Sequence, residues 1–148
     1  MKLVSACLVG VNCRYNGKNR LNKRLFRLFK EGKLISVCPE LLGGLPTPRN
    51  CSEIVGGTGL DVLNGKARVI DKGGKDVTKP FLKGANEVLE IAKTMNINEA
   101  IMKSNSPSCG CGKIYDGTFS EKLIDGDGVT VALLKKNGIK VISEEKFD

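Results

Sequence analysis

Apolar and polar positions follow one another in blocks along the chain, and the blocks predict strands and helices in turn. Short apolar runs predict strands at KLVSAC, LISVC, EAIMK and IKVIS. Between these runs, apolar residues recur at helical spacing in three segments. The first segment runs from Asn19 to Gly32, the second from Thr78 to Met95, and the third begins near Asp127. Strands that alternate with helices favour a mostly parallel sheet with right-handed crossovers.

The segment from Thr78 carries the most regular helical pattern. Thr78 is the expected N-cap, and Pro80 falls in the first turn, where proline is tolerated. The apolar residues of this segment share one helical face, which we expect to be buried. That face comprises Phe81, Ala85, Val88, Leu89 and Ala92.

A glycine-rich stretch around residues 55–72 interrupts the alternation of strands and helices. Residues 60–63 and 66–70 flank an Asn64-Gly65 pair, which is typical of a two-residue β-hairpin turn. We therefore expect a β-hairpin excursion in this region. The Gly-Gly-Thr-Gly sequence at residues 56–59 is not expected to bind a dinucleotide, because no strand is predicted before it and no helix after it.

The chain has 148 residues, which is the size of one ordinary domain and enough to bury a core without covalent cross-links. The expected fold class is α/β. We predict a single domain over residues 1–148, with a small, mostly parallel, Rossmann-like sheet flanked by helices. In open sheets of this kind, ligands bind beyond the carboxyl ends of the strands.

Three cysteines lie at or beyond the ends of predicted strands. Cys7 and Cys38 end the first two strands, and Cys109 follows the EAIMK strand in the loop SNSPSCGCGK. Because parallel strands end at the same edge of a sheet, the topology predicts the three thiols at one rim. Glycine or proline lies close behind each of them, which suits loops whose backbone N–H groups hydrogen-bond the sulfur of a ligand.

The other three cysteines carry weaker signals. Cys13 and Cys51 are interpreted as small buried apolar residues or accessory thiols. Cys111 has no assigned role. If Cys109 binds a metal centre that has an open coordination position, Cys111 is a candidate competitor for that position. Nothing in the sequence resembles a signal peptide or a membrane-spanning run, so we expect a cytoplasmic, reducing compartment and no membrane. In such surroundings the six cysteines are expected as ligands or catalysts rather than as three disulfides.

Charge and composition narrow the class of ligand. The net charge of +8 favours an anionic ligand, although a solvated lysine-rich surface accounts for it equally well. With five phenylalanines, two tyrosines and no tryptophan, an aromatic platform for several bases is not expected, so a long nucleic acid is disfavoured. Histidine is absent, which removes imidazole as a general base and as a zinc ligand.

The spacing of the cysteines favours one metal centre over another. Structural zinc sites usually contain closely spaced C-x2-4-C pairs, and this sequence has none, so zinc is the weaker alternative. An iron–sulfur cluster accepts thiolates from distant segments. Three ligands to a four-iron cluster would leave one iron open, and an open metal site favours catalysis over electron transfer.

The motifs that contain these cysteines resemble a known family. SACLVG-x2-CRYNG, CPE-x2-GGLPTPR with SEIVGG close behind, and SPSCG occur in order over nearly the whole chain. Together they resemble the DUF523 family, whose characterised members are the thiouracil desulfidases. The resemblance implies a small α/β domain in which Cys7, Cys38 and Cys109 hold a [4Fe-4S] cluster. It also implies a non-redox reaction that converts 4-thiouracil or 4-thiouridine monophosphate into uracil or UMP and hydrogen sulfide.

The same resemblance implies roles for individual residues. Glu40, from CPE, is expected in acid/base catalysis, and Ser106, from SPSC, is expected to contact the substrate ring. A polar, basic loop leads into the first predicted helix, and helix N-termini suit phosphate, which favours a nucleotide over the free base. The candidate substrate-binding residues are Arg14, Tyr15, Asn16, Gly17, Lys18, Ser106 and Ser108.

Alternatives to an enzyme stay open at the level of sequence. One is a carrier module in which a cluster or a zinc ion is only structural. Another is a sulfur-transfer component of tRNA metabolism without hydrolase activity of its own. The expected partner in the main interpretation is a small thiolated pyrimidine or its nucleotide, and the sequence leaves association into an oligomer open.

Overall fold

Eight strands and five α-helices occupy residues 1–147, which the computed structural model describes. The strands are β1 (Lys2–Ser5), β2 (Leu34–Val37), β3 (Ser52–Val55), β4 (Arg68–Asp71), β5 (Glu99–Met102), β6 (Lys113–Tyr115), β7 (Leu123–Asp125) and β8 (Lys140–Ser143). The helices are α1 (Lys23–Lys30), α2 (Pro39–Leu42), α3 (Gly59–Leu63), α4 (Thr78–Thr94) and α5 (Val129–Lys136). Short 3-10 helices span Ala6–Val9 and Glu144–Lys146.

The central sheet has four parallel strands in the order β2-β1-β5-β8. All four correspond to the apolar runs of the sequence, so the predicted parallel α/β fold is confirmed. Side chains alternate across this sheet. In β1, for example, Leu3 packs with α4 and α5 on one face, while Val4 packs with Leu25 of α1 on the other. Both faces of the sheet are therefore covered by helices.

Helix α4 buries the face that the sequence pattern assigns to it. All five residues predicted for that face are buried, and most of them pack against the central sheet or α5. The expected N-cap is wrong by position, because Thr78 is the first helical residue rather than the cap. Its hydroxyl accepts a hydrogen bond from the Val69 N–H at 2.9 Å, and Asp76 instead accepts the Thr78 N–H. The threonine therefore ties β4 to the start of the helix.

The expected hairpin is present, but its turn is not where the sequence suggested. Strands β3 and β4 pair antiparallel, with Ile54 opposite Val69. The Asn64-Gly65 pair does not form a two-residue turn, because residues 59–63 are helical. The Asp61 side chain accepts the Thr58 N–H and so caps α3, and Asn64 and Gly65 end that helix. An Asn-Gly pair also suits a helix C-terminus, which is why the pattern was ambiguous.

The reason given against a dinucleotide motif at residues 56–59 is also wrong. A strand does precede this sequence and a helix does follow it. However, β3 belongs to an antiparallel pair and α3 has five residues, so the parallel strand–helix–strand unit of a dinucleotide site is not formed here. The sequence pattern also did not predict α2 or the antiparallel pair β6 and β7. No helix within residues 1–147 has the length and apolar character needed to cross a membrane.

Helix α2 sits directly on α4 through two glycines. A Cβ at Gly84 of α4 would overlap the Pro39 carbonyl, and a Cβ at Gly43, which ends α2, would overlap the Pro80 carbonyl. Glycine weakens the interior of a helix, so its presence in α4 calls for a reason. That reason is the close approach of the two backbones, which fixes the position of the short helix after Cys38.

We predict that Gly84→Ala destabilises the protein. Alanine alone would favour the helix by about 1 kcal/mol. Overlap with the rigid Pro39 carbonyl reverses that gain, for a net loss of about 1–3 kcal/mol in the free energy of unfolding. Urea denaturation of the variant measures the change, with Lys83→Ala at the neighbouring exposed position of α4 as control. A Gly84→Ala protein more stable than wild type would contradict the packing argument.

Candidate active site

A cavity of about 650 Å³ opens at the carboxyl ends of β1, β2 and β5. These three strands are neighbours in the sheet, and Cys7, Cys38 and Cys109 lie beyond their respective ends. All three cysteines line the cavity. The prediction that topology alone brings the three segments to one rim is therefore confirmed.

Each of the first two thiols is held by the turn of chain that follows its strand. Cys7 lies in the 3-10 helix after β1, and its carbonyl accepts the Arg20 N–H at 2.9 Å. Gly10 ends that turn with φ 95°, in the left-handed region that glycine adopts readily. Cys38 is the residue before α2, and Pro39 begins that helix with a φ suited to its first position. Two cysteines that line the cavity thus lie on short turns at the ends of neighbouring strands.

The third thiol is positioned by a network inside the loop SNSPSCGCGK. The Ser106 hydroxyl accepts the Ser108 and Cys109 N–H groups at 3.1 and 3.0 Å. The Ser108 side chain is buried and hydrogen-bonds Thr130 of α5 at 2.8 Å. In addition, the first N–H groups of α5 bond the carbonyls of residues 107 and 108. The loop that carries Cys109 is therefore fastened to the N-terminal end of α5.

The three thiols share an environment that disfavours the thiolate form. Burial, and then the charge of Glu40, raise the pKa of Cys7 to about 12. A hydrogen bond with the Cys13 thiol, together with burial, raises the pKa of Cys38, and burial raises that of Cys109 well above its ordinary value. Lys103 and Arg14 lower the pKa of Cys7, but they offset only part of this effect.

Glu40 is the acidic side chain that affects the pKa of all three thiols. It lies in α2 and lines the cavity, with its side chain 14% exposed. Burial raises the pKa of its carboxyl, while Arg49, 3.7 Å away, opposes that shift. Arg49 also donates to the Cys13 carbonyl at 2.9 Å. The predicted acid/base residue is thus a largely buried carboxylate beside the thiols.

The predicted substrate residues divide into two groups. Arg14, Tyr15 and Ser106 line the cavity, and the Arg14 guanidinium lies over the Tyr15 ring. The structure does not bring the remaining four to it. Ser108 is turned into the core towards Thr130, and residues 16–18 form an external turn in which Asn16 accepts the Lys18 N–H. These four are Asn16, Gly17, Lys18 and Ser108.

The start of α1 is capped by the chain itself and does not line the cavity. Helix α1 begins at Lys23, and the Asn22 side chain accepts the N–H groups of Arg24 and Leu25. The helix end that follows the basic loop is therefore not part of the cavity, and a phosphate site at the loop stays a prediction. An Asn directly before a helical segment, as Asn22 is here, is the signal in the sequence for such a cap.

Sequence reasoning missed several cavity residues. Cys13 and Cys51 line the same cavity as the three other thiols, as do Arg20, Lys72 and Lys103. Only the tertiary fold brings these positions together, because their local sequences carry no shared motif. The tip between β6 and β7 adds residues 119–121. Cys111 does not line the cavity, and its thiol lies against the Val141 carbonyl at 3.4 Å, which argues against its expected role as a competitor for an open metal position.

The donor set fits a multi-atom cluster better than a single ion. Within residues 1–147, no three His, Cys, Asp or Glu side chains are grouped closely enough to hold one metal ion. In a cluster each thiolate binds a different iron atom, so its ligands stand further apart. Three thiols on separate turns around one cavity, with no histidine in the sequence, are soft ligands of the type that iron–sulfur clusters use.

Comparison with known proteins places this arrangement in a family. The sequence model of the 2-thiouracil desulfurase family matches residues 3–146. The uncharacterised protein YbbK of Bacillus subtilis (strain 168) is 52% identical over 148 residues, which cover all of this chain and 98% of that protein.

A solved structure extends the similarity to the fold. It is described as the [4Fe-4S]-dependent thiouracil desulfidase TudS (DUF523Vcz), with 39% sequence identity and a TM-score of 0.87. The similarity covers 99% of this chain and 91% of that one. The resemblance to the DUF523 family that the motifs suggested is thereby confirmed, and this chain belongs to the 2-thiouracil desulfurase family.

Proposed function

We propose that this protein is a [4Fe-4S]-dependent desulfidase that removes sulfur from a thiolated pyrimidine without electron transfer. The observation that carries the proposal is the meeting of three thiols, two of them buried and that of Cys38 half-buried, with a largely buried carboxylate in one cavity at the carboxyl edge of the sheet. Family membership and the structural neighbour support the same activity. They favour an enzyme over a carrier module or a component of tRNA sulfur metabolism.

The chain supplies ligands and proton transfer. Cys7, Cys38 and Cys109 would hold the cluster as thiolates. When bound, the cluster supplies an open iron site with affinity for sulfur, which polarises the C–S bond. Glu40 takes a proton from the water that attacks the ring carbon bearing the sulfur. A C–O bond forms and the C–S bond breaks. Glu40 gives its proton to the departing sulfur, which takes the second proton of the water as well and leaves as hydrogen sulfide.

Ser106 has a second task in this proposal. Its oxygen already accepts two backbone N–H groups, which use the two lone pairs of a hydroxyl. The remaining O–H is then free to donate to the pyrimidine ring from the cavity wall. One side chain therefore both shapes the Cys109 turn and offers the substrate a hydrogen-bond donor.

The charges of the cavity favour a nucleotide such as 4-thiouridine monophosphate over the free base. Arg49 is paired with Glu40, and Lys103 with Glu144. By contrast, the side chains of Arg14, Arg20 and Lys72 line the cavity without an ion pair to any residue among 1–147. Unpaired cations in a cavity suit a phosphate, and a cavity of this size suits a small molecule rather than a long nucleic acid.

The cysteines also bear on the cellular compartment in which the protein acts. All six cysteines are free, and buried free thiols around a proposed metal centre need reducing surroundings. We therefore place the activity in the cytoplasm as part of this proposal.

Loss of any one of the three proposed ligands should abolish the cluster. We expect anaerobically reconstituted Cys7→Ser, Cys38→Ser and Cys109→Ser to lose the broad visible absorption and the release of sulfide from 4-thiouracil or its nucleotide. Cys111→Ser is the matched control, because its thiol lies against Val141 rather than in the cavity. Full iron loading of the triple serine variant would overturn the ligand assignment.

Glu40→Gln should separate chemistry from cofactor binding. The amide keeps the shape of the side chain but cannot take a proton, so kcat should fall by about a hundredfold or more. Iron content and visible absorption should match wild type, because the thiol ligands are unchanged. Steady-state sulfide release and iron analysis of the same preparation provide both measurements. Wild-type turnover would show that the carboxylate is structural.

Lys72→Ala should distinguish a nucleotide from a free base. Removing one charge-assisted contact to the phosphate should raise KM for 4-thiouridine monophosphate by about tenfold or more, while KM for 4-thiouracil stays unchanged. Lys75→Ala in the same turn is the control, because Lys75 does not line the cavity. Equal effects of Lys72→Ala on the two substrates would argue against a phosphate at this position.

A further inference from the structure

One wall of the cavity comes from the tip of the antiparallel pair β6 and β7. Residues 116–122 form this tip, which the hydrogen bond from the Asp116 N–H to the Lys122 carbonyl closes at 2.9 Å. Four residues of this region line the cavity, namely Tyr115, Phe119, Ser120 and Glu121. The tip belongs to neither the thiol turns nor the central sheet, so something else must hold it in place.

The backbone of the tip adopts uncommon conformations. Gly117 has φ 92°, and the two non-glycine residues Phe119 and Glu121 have φ 56° and 62°. Side chains other than glycine occupy this region rarely, and such strain persists only where the surrounding structure enforces it. Both strained side chains line the cavity. The strain is therefore concentrated where the tip meets the proposed substrate.

Glu53 of β3 supplies the contact that enforces this conformation. One oxygen of its carboxylate accepts the Gly117 N–H at 2.9 Å and the Phe119 N–H at 3.1 Å. The side chain is buried, and it forms no ion pair with any residue that the structure describes. A buried carboxylate is unfavourable without such hydrogen bonds, and bonds to a charged acceptor are the stronger kind.

The fit between the tip and β3 is close. A Cβ at Gly117 would lie 2.6 Å from the Ile54 carbonyl oxygen and 3.2 Å from the Val55 Cα. The tip therefore lies directly on the strand that carries Glu53. Backbone contact and the two hydrogen bonds together define where Phe119 stands.

We infer that Glu53 is a positioning residue that acts through the tip and sets the affinity for the pyrimidine substrate. The inference rests on the proposed function and extends it to the substrate-binding wall. Phe119 offers a flat apolar surface, which is suited to a planar pyrimidine ring. Held by Glu53, that surface is in place before the substrate enters, so the substrate does not have to order the tip.

The test compares KM and kcat for 4-thiouridine monophosphate in reconstituted holoenzymes. Glu53→Ala and Phe119→Ala should each raise KM by about tenfold with little change in kcat, because the thiol end of the cavity is untouched. If the glutamate acts through the phenylalanine, the double variant should be no worse than either single variant. Glu53→Gln keeps an acceptor oxygen, so its KM should stay close to wild type.

Asp61→Ala is the matched control. Asp61 also accepts a backbone N–H, that of Thr58, but unlike Glu53 it does not line the cavity. It should lower stability without changing KM, which separates a loss of folding from a loss of positioning. Amide hydrogen exchange at Gly117 and Phe119 gives a measurement that does not depend on activity, and both amides should lose protection in Glu53→Ala. If Glu53→Ala does not fold, Glu53→Asp takes its place in the test. The shorter side chain draws the acceptor oxygen back from the two N–H groups.

Three results would overturn the inference. Wild-type KM in Glu53→Ala with exposed tip amides would show that the wall does not bind substrate. Additive effects in the double variant would show that the two residues act separately. A KM in Glu53→Gln as high as in Glu53→Ala would mean that the charge acts on the substrate directly. Failure of the wild-type holoenzyme to release sulfide would instead count against the proposed function.

Discussion

The proposed chemistry depends on three buried or half-buried thiols that lie together beside a carboxylate. Such an environment opposes negative charge, and the pKa of each thiol is raised accordingly. Thiolates form there only when a positively charged centre compensates for the lost hydration. The protein must therefore hold the thiols in position while they are still neutral. Several separate features of the fold serve this requirement.

The supports of Cys38 and Cys109 come from different parts of the fold. Cys38 is placed by the seating of α2 on α4, where Gly43 and Gly84 allow the backbones to meet. Cys109 is placed by the hydroxyl of Ser106 and by the N-terminal N–H groups of α5. Ordering the loop SNSPSCGCGK loses conformational entropy. Its composition alone suggests that only a bound cofactor could offset that loss. In the structure, hydrogen bonds to α5 contribute to that order as well.

Much of this site could be predicted from the sequence, because its key residues follow strands of a parallel sheet. Four apolar runs predicted the strands of the central sheet. The positions of three cysteines after neighbouring strands predicted that the cysteines meet at one edge of that sheet. Contacts between segments without a shared motif could not be predicted. Glu53 is an example, since its role becomes visible only when β3 meets a tip more than sixty residues away. The two-residue turn predicted at Asn64-Gly65 was wrong because the same dipeptide suits both a hairpin turn and the end of a helix.

The cap on α1 has a consequence for how the cavity would recognise an anion. The start of α1 does not line the cavity, and Asn22 accepts the N–H groups of Arg24 and Leu25, so a phosphate in the cavity would meet cationic side chains rather than this helix end. Side-chain charges attract any anion of suitable size and impose little directional geometry. Recognition of this kind weakens as ionic strength rises. It also tolerates variation in the position and charge of the phosphate, so discrimination among substrates would rest on the sulfur atom and the ring.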